Sequence, residues 1–166
     1  MSRAFVKEDS GADSLPERPV SPHRNLVTRR GLALIEAELA RHRAALAAAG
    51  AKGDRDGAAQ ASRELRYWSS RRANAEPVDP PAEGEAITFG MQVTLEAEDG
   101  AQRRFRIVGE DEAEPREGRI AWISPVARAL MGKWIGDEVS LPVGTMEIVA
   151  VDPAPEATAP EAMGPS

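Results

Sequence analysis

Two runs of apolar residues with the same 3-4 spacing, separated by a glycine-rich break, restrict this chain more than any other feature. In the first, Leu32, Ile35, Leu39, His42, Leu46 and Ala49 recur at the interval that puts side chains on one stripe of a helix. In the second, Ala58, Ala61, Leu65, Trp68, Arg72 and Ala75 repeat that interval. Between them, Gly50-Ala-Lys-Gly-Asp-Arg-Asp-Gly57 breaks the pattern, and so short a connection forces neighbouring helices to run antiparallel. The spacing predicts a coiled-coil hairpin whose first helix is capped by Thr28 and covers about residues 29–49. His42 falls on the seam, where a half-buried interfacial role is expected rather than that of a catalytic base, and Tyr67 and Trp68 are expected to anchor the base of the hairpin.

A change of character near Pro80 divides the chain. Residues 24–76 carry 11 Lys/Arg against 6 Asp/Glu, whereas residues 77–166 carry 7 against 17. An acidic second half argues against wrapping duplex DNA, whose affinity comes mainly from phosphate neutralisation; a basic hairpin is still suited to contact RNA or DNA. The 166 residues hold no cysteine, which rules out disulfides and thiolate metal sites. No apolar run reaches membrane-spanning length and the polar start does not resemble a signal peptide, so a cytoplasmic chain, expected to be a monomer with no membrane contact, is the reading.

The second half reads as strands around one short helix. Ile87-Thr-Phe89 and Met91-Gln-Val-Thr-Leu-Glu96 alternate, Glu98-Asp-Gly100 signals a hairpin, and Arg103–Val108 returns antiparallel. Residues 109–118 are expected to be an acidic, solvated loop. Ile120 and Trp122 alternate as a short strand that stops at Ser124-Pro125. A serine before a proline at the first helical position satisfies an orphan amide and pre-sets φ, so Ser124 caps a helix that ends at Gly132. Strands over Val139-Ser-Leu141 and Met146–Val151 follow. The expected layout is a disordered tail over 1–26, a coiled-coil finger over 27–79, a linker over 80–86, a small domain over 87–152 and a disordered tail over 153–166.

The strings Ser124-Pro-Val-Ala-Arg-Ala-Leu-Met-Gly-Lys133 with Gly136-Asp137, Phe105-Arg-Ile-Val-Gly-Glu-Asp-Glu-Ala-Glu114, Ile87–Leu95 and Ala75-Glu-Pro-Val-Asp-Pro80 resemble the C-terminal domain of the bacterial GreA/GreB transcript cleavage factors. The resemblance implies an α+β chain: an N-terminal antiparallel helical hairpin, then a small antiparallel sheet domain of FK506-binding-protein-like (FKBP-like) fold with one short helix. It also implies RNA polymerase as partner, docking beside the secondary channel through Ile123, Ser124, Pro125 and Arg128. In the family, acidic residues at the finger tip, in a pattern like Asp-x-x-Glu-Asn-x-Glu-Tyr, are thought to help hold a second Mg²⁺ in the polymerase active centre.

Here the tip reads Gly53-Asp-Arg-Asp-Gly-Ala-Ala-Gln60. Asp54 and Asp56 supply two carboxylates, hard oxygen ligands of the kind Mg²⁺ prefers, but the continuation is missing and Arg55 sits between them. The first helix spans roughly 31 Å, and the family's finger helices are longer by roughly three turns, ~15 Å. The expected function is therefore a polymerase-binding regulator of elongation with a shortened finger, neither an enzyme itself nor an efficient promoter of cleavage, and without a cofactor of its own. One alternative is a true cleavage factor using Asp54, Asp56 and the Mg²⁺ of the polymerase. Another is a relative of the nucleoside diphosphate kinase regulator Rnk. Prolyl isomerisation, suggested by fold alone, ranks last.

Overall fold

The computed structural model describes residues 15–82 and 86–156; the expected tails up to residue 14 and from residue 157, and linker positions 83–85, lie outside the described residues. The chain divides into two compact units, one of residues 15–22 with Ile35–Ala73, the other of His23–Leu34 with residues 74–156.

The first unit is built on helices α1 (Arg29–Lys52, whose first turns belong to the second unit) and α2 (Arg55–Ala73). The helices are antiparallel: Arg72 Nε donates to Glu36 at 3.1 Å and His42 lies 4.0 Å from Glu64. The expected break over 50–57 contracts to Gly53-Asp54, since α1 runs on through Gly50 and α2 starts before Gly57. Glycine costs a helix about 1 kcal/mol without forbidding it, and one residue in the left-handed region, Gly53 at φ 66°, suffices to turn the chain. Ile35, Leu39, Ala49, Ala61 and Trp68 are buried along the seam. At the end of α2 the seam shifts by one residue. Arg71 is buried at 2% exposure, and Arg72, expected inside, is exposed.

Residues 16–18, expected to be part of a disordered tail, bind to α2. The Arg18 guanidinium sits 3.7 Å from the Tyr67 ring centroid and 5.4 Å from that of Trp68, and pairs with Glu64 at 2.8 Å. Arg63 Nε donates to the Pro16 carbonyl at 2.7 Å and Arg66 Nε to Glu17 at 2.7 Å. Proline-rich chain lacks the apolar periodicity of an element, yet it presents carbonyls and charges that complement an arginine-bearing helix face.

In the second unit, strands β1 (Asn25–Val27) and β2 (Ala75–Pro77) pair in parallel, Leu26 opposite Glu76. This corrects the tail expected up to residue 26 and the placing of Ala75 in the helical seam: three-residue strands are too short to show alternation, and their partner lies about fifty residues away in sequence. Thr28 caps α1 as expected, its hydroxyl accepting from Gly31 N–H at 2.9 Å. The same hydroxyl donates to Glu112 at 2.6 Å.

The main sheet has five strands, β3 (Gln92–Glu96), β4 (Gln102–Val108), β5 (Arg119–Ala121), β6 (Glu138–Leu141) and β7 (Gly144–Asp152), in the order β5-β4-β3-β7-β6. It is mixed, not purely antiparallel. β4 and β5 run parallel, Ile107 opposite Ile120, because the connection between them crosses over instead of turning back. Ile87–Phe89 is not a strand. Ile87 N–H donates to Lys133 and its carbonyl accepts from Gly132, both at 2.8 Å, so the segment is tied to the chain after α3 (Pro125–Leu130). The core joins Ile87, Phe89, Val93, Leu95, Ile107, Ile120, Ala127, Leu130, Val139, Met146 and Ile148.

Two 3₁₀ turns, Glu110–Glu112 and Pro115–Glu117, replace the expected solvated loop over 109–118. Glu112 is buried at 5% exposure and also pairs with Arg30 at 3.3 Å. Gly109 is required here, since a Cβ would lie 2.4 Å from the Leu26 carbonyl oxygen. The tail expected from residue 153 is likewise ordered as far as Glu156, which bonds to Arg119.

Candidate functional site

The expected docking residues sit where strand gives way to helix. Ile120 enters the core, Trp122 N–H bonds to the Val108 carbonyl at 2.9 Å, and Ser124 N–H to the Ala121 carbonyl at 2.8 Å. The Ser124 hydroxyl accepts from Ala127 N–H at 3.3 Å, and Pro125 holds the first helical position. Ala127 and Leu130, both 0% exposed, bind one side of α3 to the core. Pro125 and Arg128, three residues apart, are exposed together, while Ile123 and Ser124 are half-buried. The four residues thus form one edge with a fixed backbone and an outward cation. Trp134 and Ile135, 53% and 62% exposed just after the turn at Gly132, are large apolar side chains that the sequence reading did not single out.

At the hairpin tip the two aspartates are separated in role. The Asp54 carboxylate accepts from Gly57 N–H at 3.0 Å while its carbonyl accepts from Ala58 N–H, which makes Asp54 the N-cap of α2. Asp56 lies exposed in the first turn, where a negative charge is favoured by the helix dipole. Among the described residues, no three His, Asp or Glu side chains gather as a metal-binding group. His42, on the seam, is 13% exposed and lies 3.2 Å from Glu38. An open groove of about 580 Å³ runs between the helices, lined by Arg41, His42, Lys52 and Glu64 over a floor of alanines.

The family profile described as transcription elongation factor, GreA/GreB, C-term matches residues 82–153. A GreA of Methylobacterium nodulans is 38% identical over 150 aligned positions, covering 75% of this chain and 94% of that protein. The chain belongs to the GreA/GreB family. A GreB of Xanthomonas axonopodis pv. citri is 42% identical over 124 positions, 65% of this chain and 74% of the relative. For a GreB of Pseudomonas aeruginosa the match is confined to 45% of each chain. Among solved structures, the chain is similar to Gfh1, GreA factor homolog 1, of Thermus thermophilus, at 24% identity and a TM-score of 0.38 over 78% of this chain and 99% of that one.

Within this GreA/GreB chain, the structure brings Ile123, Ser124, Pro125 and Arg128 together on one edge and places Asp54 and Asp56 at the tip. It also forms two polar clusters that the sequence reading missed: Glu112 with Thr28 and Arg30, and Glu156 with Arg106 and Arg119. In sequence Glu112 stands within the acidic run Glu110–Glu114 and Glu156 within a proline-rich stretch, and neither pattern marks a carboxylate for burial or for an arginine partner.

Proposed function

We propose that this chain regulates transcription elongation by docking on bacterial RNA polymerase at the secondary channel through the Ile123–Arg128 edge. Its shortened finger occupies the channel without promoting efficient transcript cleavage. The observation that carries the second half of this reading is the Asp54 cap. A carboxylate holding the Gly57 amide has one lone pair committed and its direction set by α2, whereas Mg²⁺ accepts ligands only near 2.0–2.1 Å and close to octahedral directions. Asp56 alone does not reproduce the family's acidic pattern. A gap in the alignment is in keeping with this: 150 aligned positions use about 125 residues here, so about 25 positions of the Methylobacterium GreA have no counterpart within the matched stretch.

Docking draws support from rigidity, because a capped, proline-started helix loses little entropy when a partner binds it. Arg43, Lys52 and Arg55, exposed in the distal part of the hairpin, are suited to a nucleic-acid phosphate. The test uses stalled polymerase complexes at saturating Mg²⁺. The expected outcome is binding that weakens in Arg128→Glu, with little release of 3′ RNA fragments. Rapid release that depends on Asp54 and Asp56 would restore the cleavage-factor alternative, and unchanged binding by a folded Arg128→Glu would remove the assigned edge.

A further inference from the structure

The main sheet leaves part of one strand open on its edge. β5 pairs with β4 only over Arg106–Val108, so residues 102–105 have a neighbour, β3, on one side alone. Ala97 N–H donates to the Ala101 carbonyl and Ile107 N–H to that of Met91, which sets the alternation of the β3–β4 ladder. Odd-numbered residues of β4 turn their main-chain groups toward β3, and Gln102 and Arg104 turn theirs outward. The β5 ladder stops because Gly118, whose carbonyl accepts from Arg106 N–H at 2.8 Å, gives its own amide to Pro115. Gly118 also shields the Arg104 carbonyl oxygen, which lies 2.6 Å from where a Cβ would stand. The Gln102 carbonyl and the Arg104 N–H stay open. They are two residues apart, the spacing at which one residue of a parallel strand gives its N–H to the first and accepts from the second.

The side chains around this opening carry one sign. Arg103 and Arg104 are exposed on β4, and Arg116 is exposed on the 3₁₀ turn that Gly118 brings against Arg104. None of the three has an ion-pair partner among the described residues, although Arg106 and Arg119 beside them are both paired. Residues 77–166 hold 17 Asp/Glu against 7 Lys/Arg, so three unpaired arginines in one place run against the composition of this half. That acidic half repels a long polyanion, and a phosphate has no N–H to offer the Gln102 carbonyl. A short extended peptide brings both an N–H and a carbonyl.

We propose that the Gln102–Arg104 edge is a docking site for an extended acidic segment of a partner protein. The segment adds parallel to β4, in line with β5, with its carboxylates against Arg103, Arg104 and Arg116. Main-chain pairing supplies the affinity common to any strand, and the arginines select an acidic one. The same charges keep a second copy of this edge away, since like-charged edges repel. This surface shares no residue with the Ile123–Arg128 edge and does not depend on it.

The test titrates the ¹⁵N-labelled full chain with a synthetic peptide, Thr-Glu-Val-Glu-Val-Glu-Thr, blocked at both ends. The same sequence with every main-chain N–H methylated keeps the charges and removes the donors, and octathymidylate serves as a polyanion without a peptide main chain. The unmodified peptide is expected to shift the amides of residues 102–104 saturably, with Arg104 N–H moving downfield the most. Arg104→Gln and Arg116→Gln should each weaken it about threefold, the effect of one exposed charge pair. Amide shifts of Val93 and Ile107 report that the sheet is intact in each variant. The methylated peptide should give no saturable shift. The proposal is overturned if the methylated peptide binds as well, which leaves charge alone, or if octathymidylate binds more tightly, which assigns the arginines to nucleic acid. It is equally overturned if no saturable shift appears at millimolar peptide, which makes the arginines a guard on a bare edge.

Discussion

The hairpin and the sheet unit are held by different forces. In the sheet unit, Val93, Leu95, Ile107, Val108, Leu130 and Ile148 are all 0% exposed, so large aliphatic side chains are wholly removed from water. In the hairpin only Ile35 reaches that state, and beyond Leu39 toward the tip the buried seam positions are the alanines Ala49 and Ala61. A methyl group brings little apolar area out of water, so the distal hairpin rests on intrinsic helix propensity and on its caps. Its base is held by Leu39, by Trp68 and by polar contacts from residues 16–18. The same chain thus joins a unit that resists local opening to one whose far end opens readily.

The largest expected effect tests that contrast directly. Ile107→Ala, in the middle of the sheet core, should destabilise the chain by about 2–5 kcal/mol, whereas Leu46→Ala on the half-buried distal seam should cost about 1 kcal/mol. Urea denaturation followed by circular dichroism measures both. Equal costs would mean that the distal seam is as tightly packed as the sheet.

A smaller effect concerns the segment that binds to α2. Arg18→Ala removes the guanidinium from the Tyr67 and Trp68 rings and breaks its pair with Glu64, a loss of about 1–2 kcal/mol. Hydrogen exchange should quicken in α2 near Glu64–Trp68 while β3 and β7 keep their protection. Faster exchange throughout the sheet would show the two units opening together.

What was legible in the sequence follows the same division. Local chemistry was legible: the Ser124 cap, the Pro125 start, the Thr28 cap and the alternation of β3 all act within a few residues of themselves. Pairings between distant segments were not. The β1–β2 pair, the parallel β4–β5 ladder, the burial of Glu112 and the gripping of Glu156 each need a partner far along the chain. Nothing in a three-residue strand or a lone glutamate announces its partner. At the candidate site the docking residues came from the family's motif, while the separate roles of Asp54 and Asp56 became visible only once Gly53 was seen to confine the turn.

The smallest effect lies at the tip, where the comparison bears on function. If Asp54 acts as a cap, the requirement is for an oxygen that accepts from Gly57 N–H, not for a charge. The amide oxygen of an asparagine side chain meets that requirement. Asp54→Asn should therefore change hairpin stability by only a few tenths of a kcal/mol, while Asp54→Ala, which removes the acceptor, should cost about 1 kcal/mol and fray the first turn of α2. Exchange rates of the amides at Gly57 and Ala58 report this directly. The same pair of variants separates structure from metal chemistry. A carboxylate that binds Mg²⁺ loses its role in both variants, whereas a cap survives as asparagine. Effects on a stalled polymerase that appear with alanine and are absent with asparagine would mean that the tip acts through its shape, and equal loss in both would make Asp54 a ligand after all.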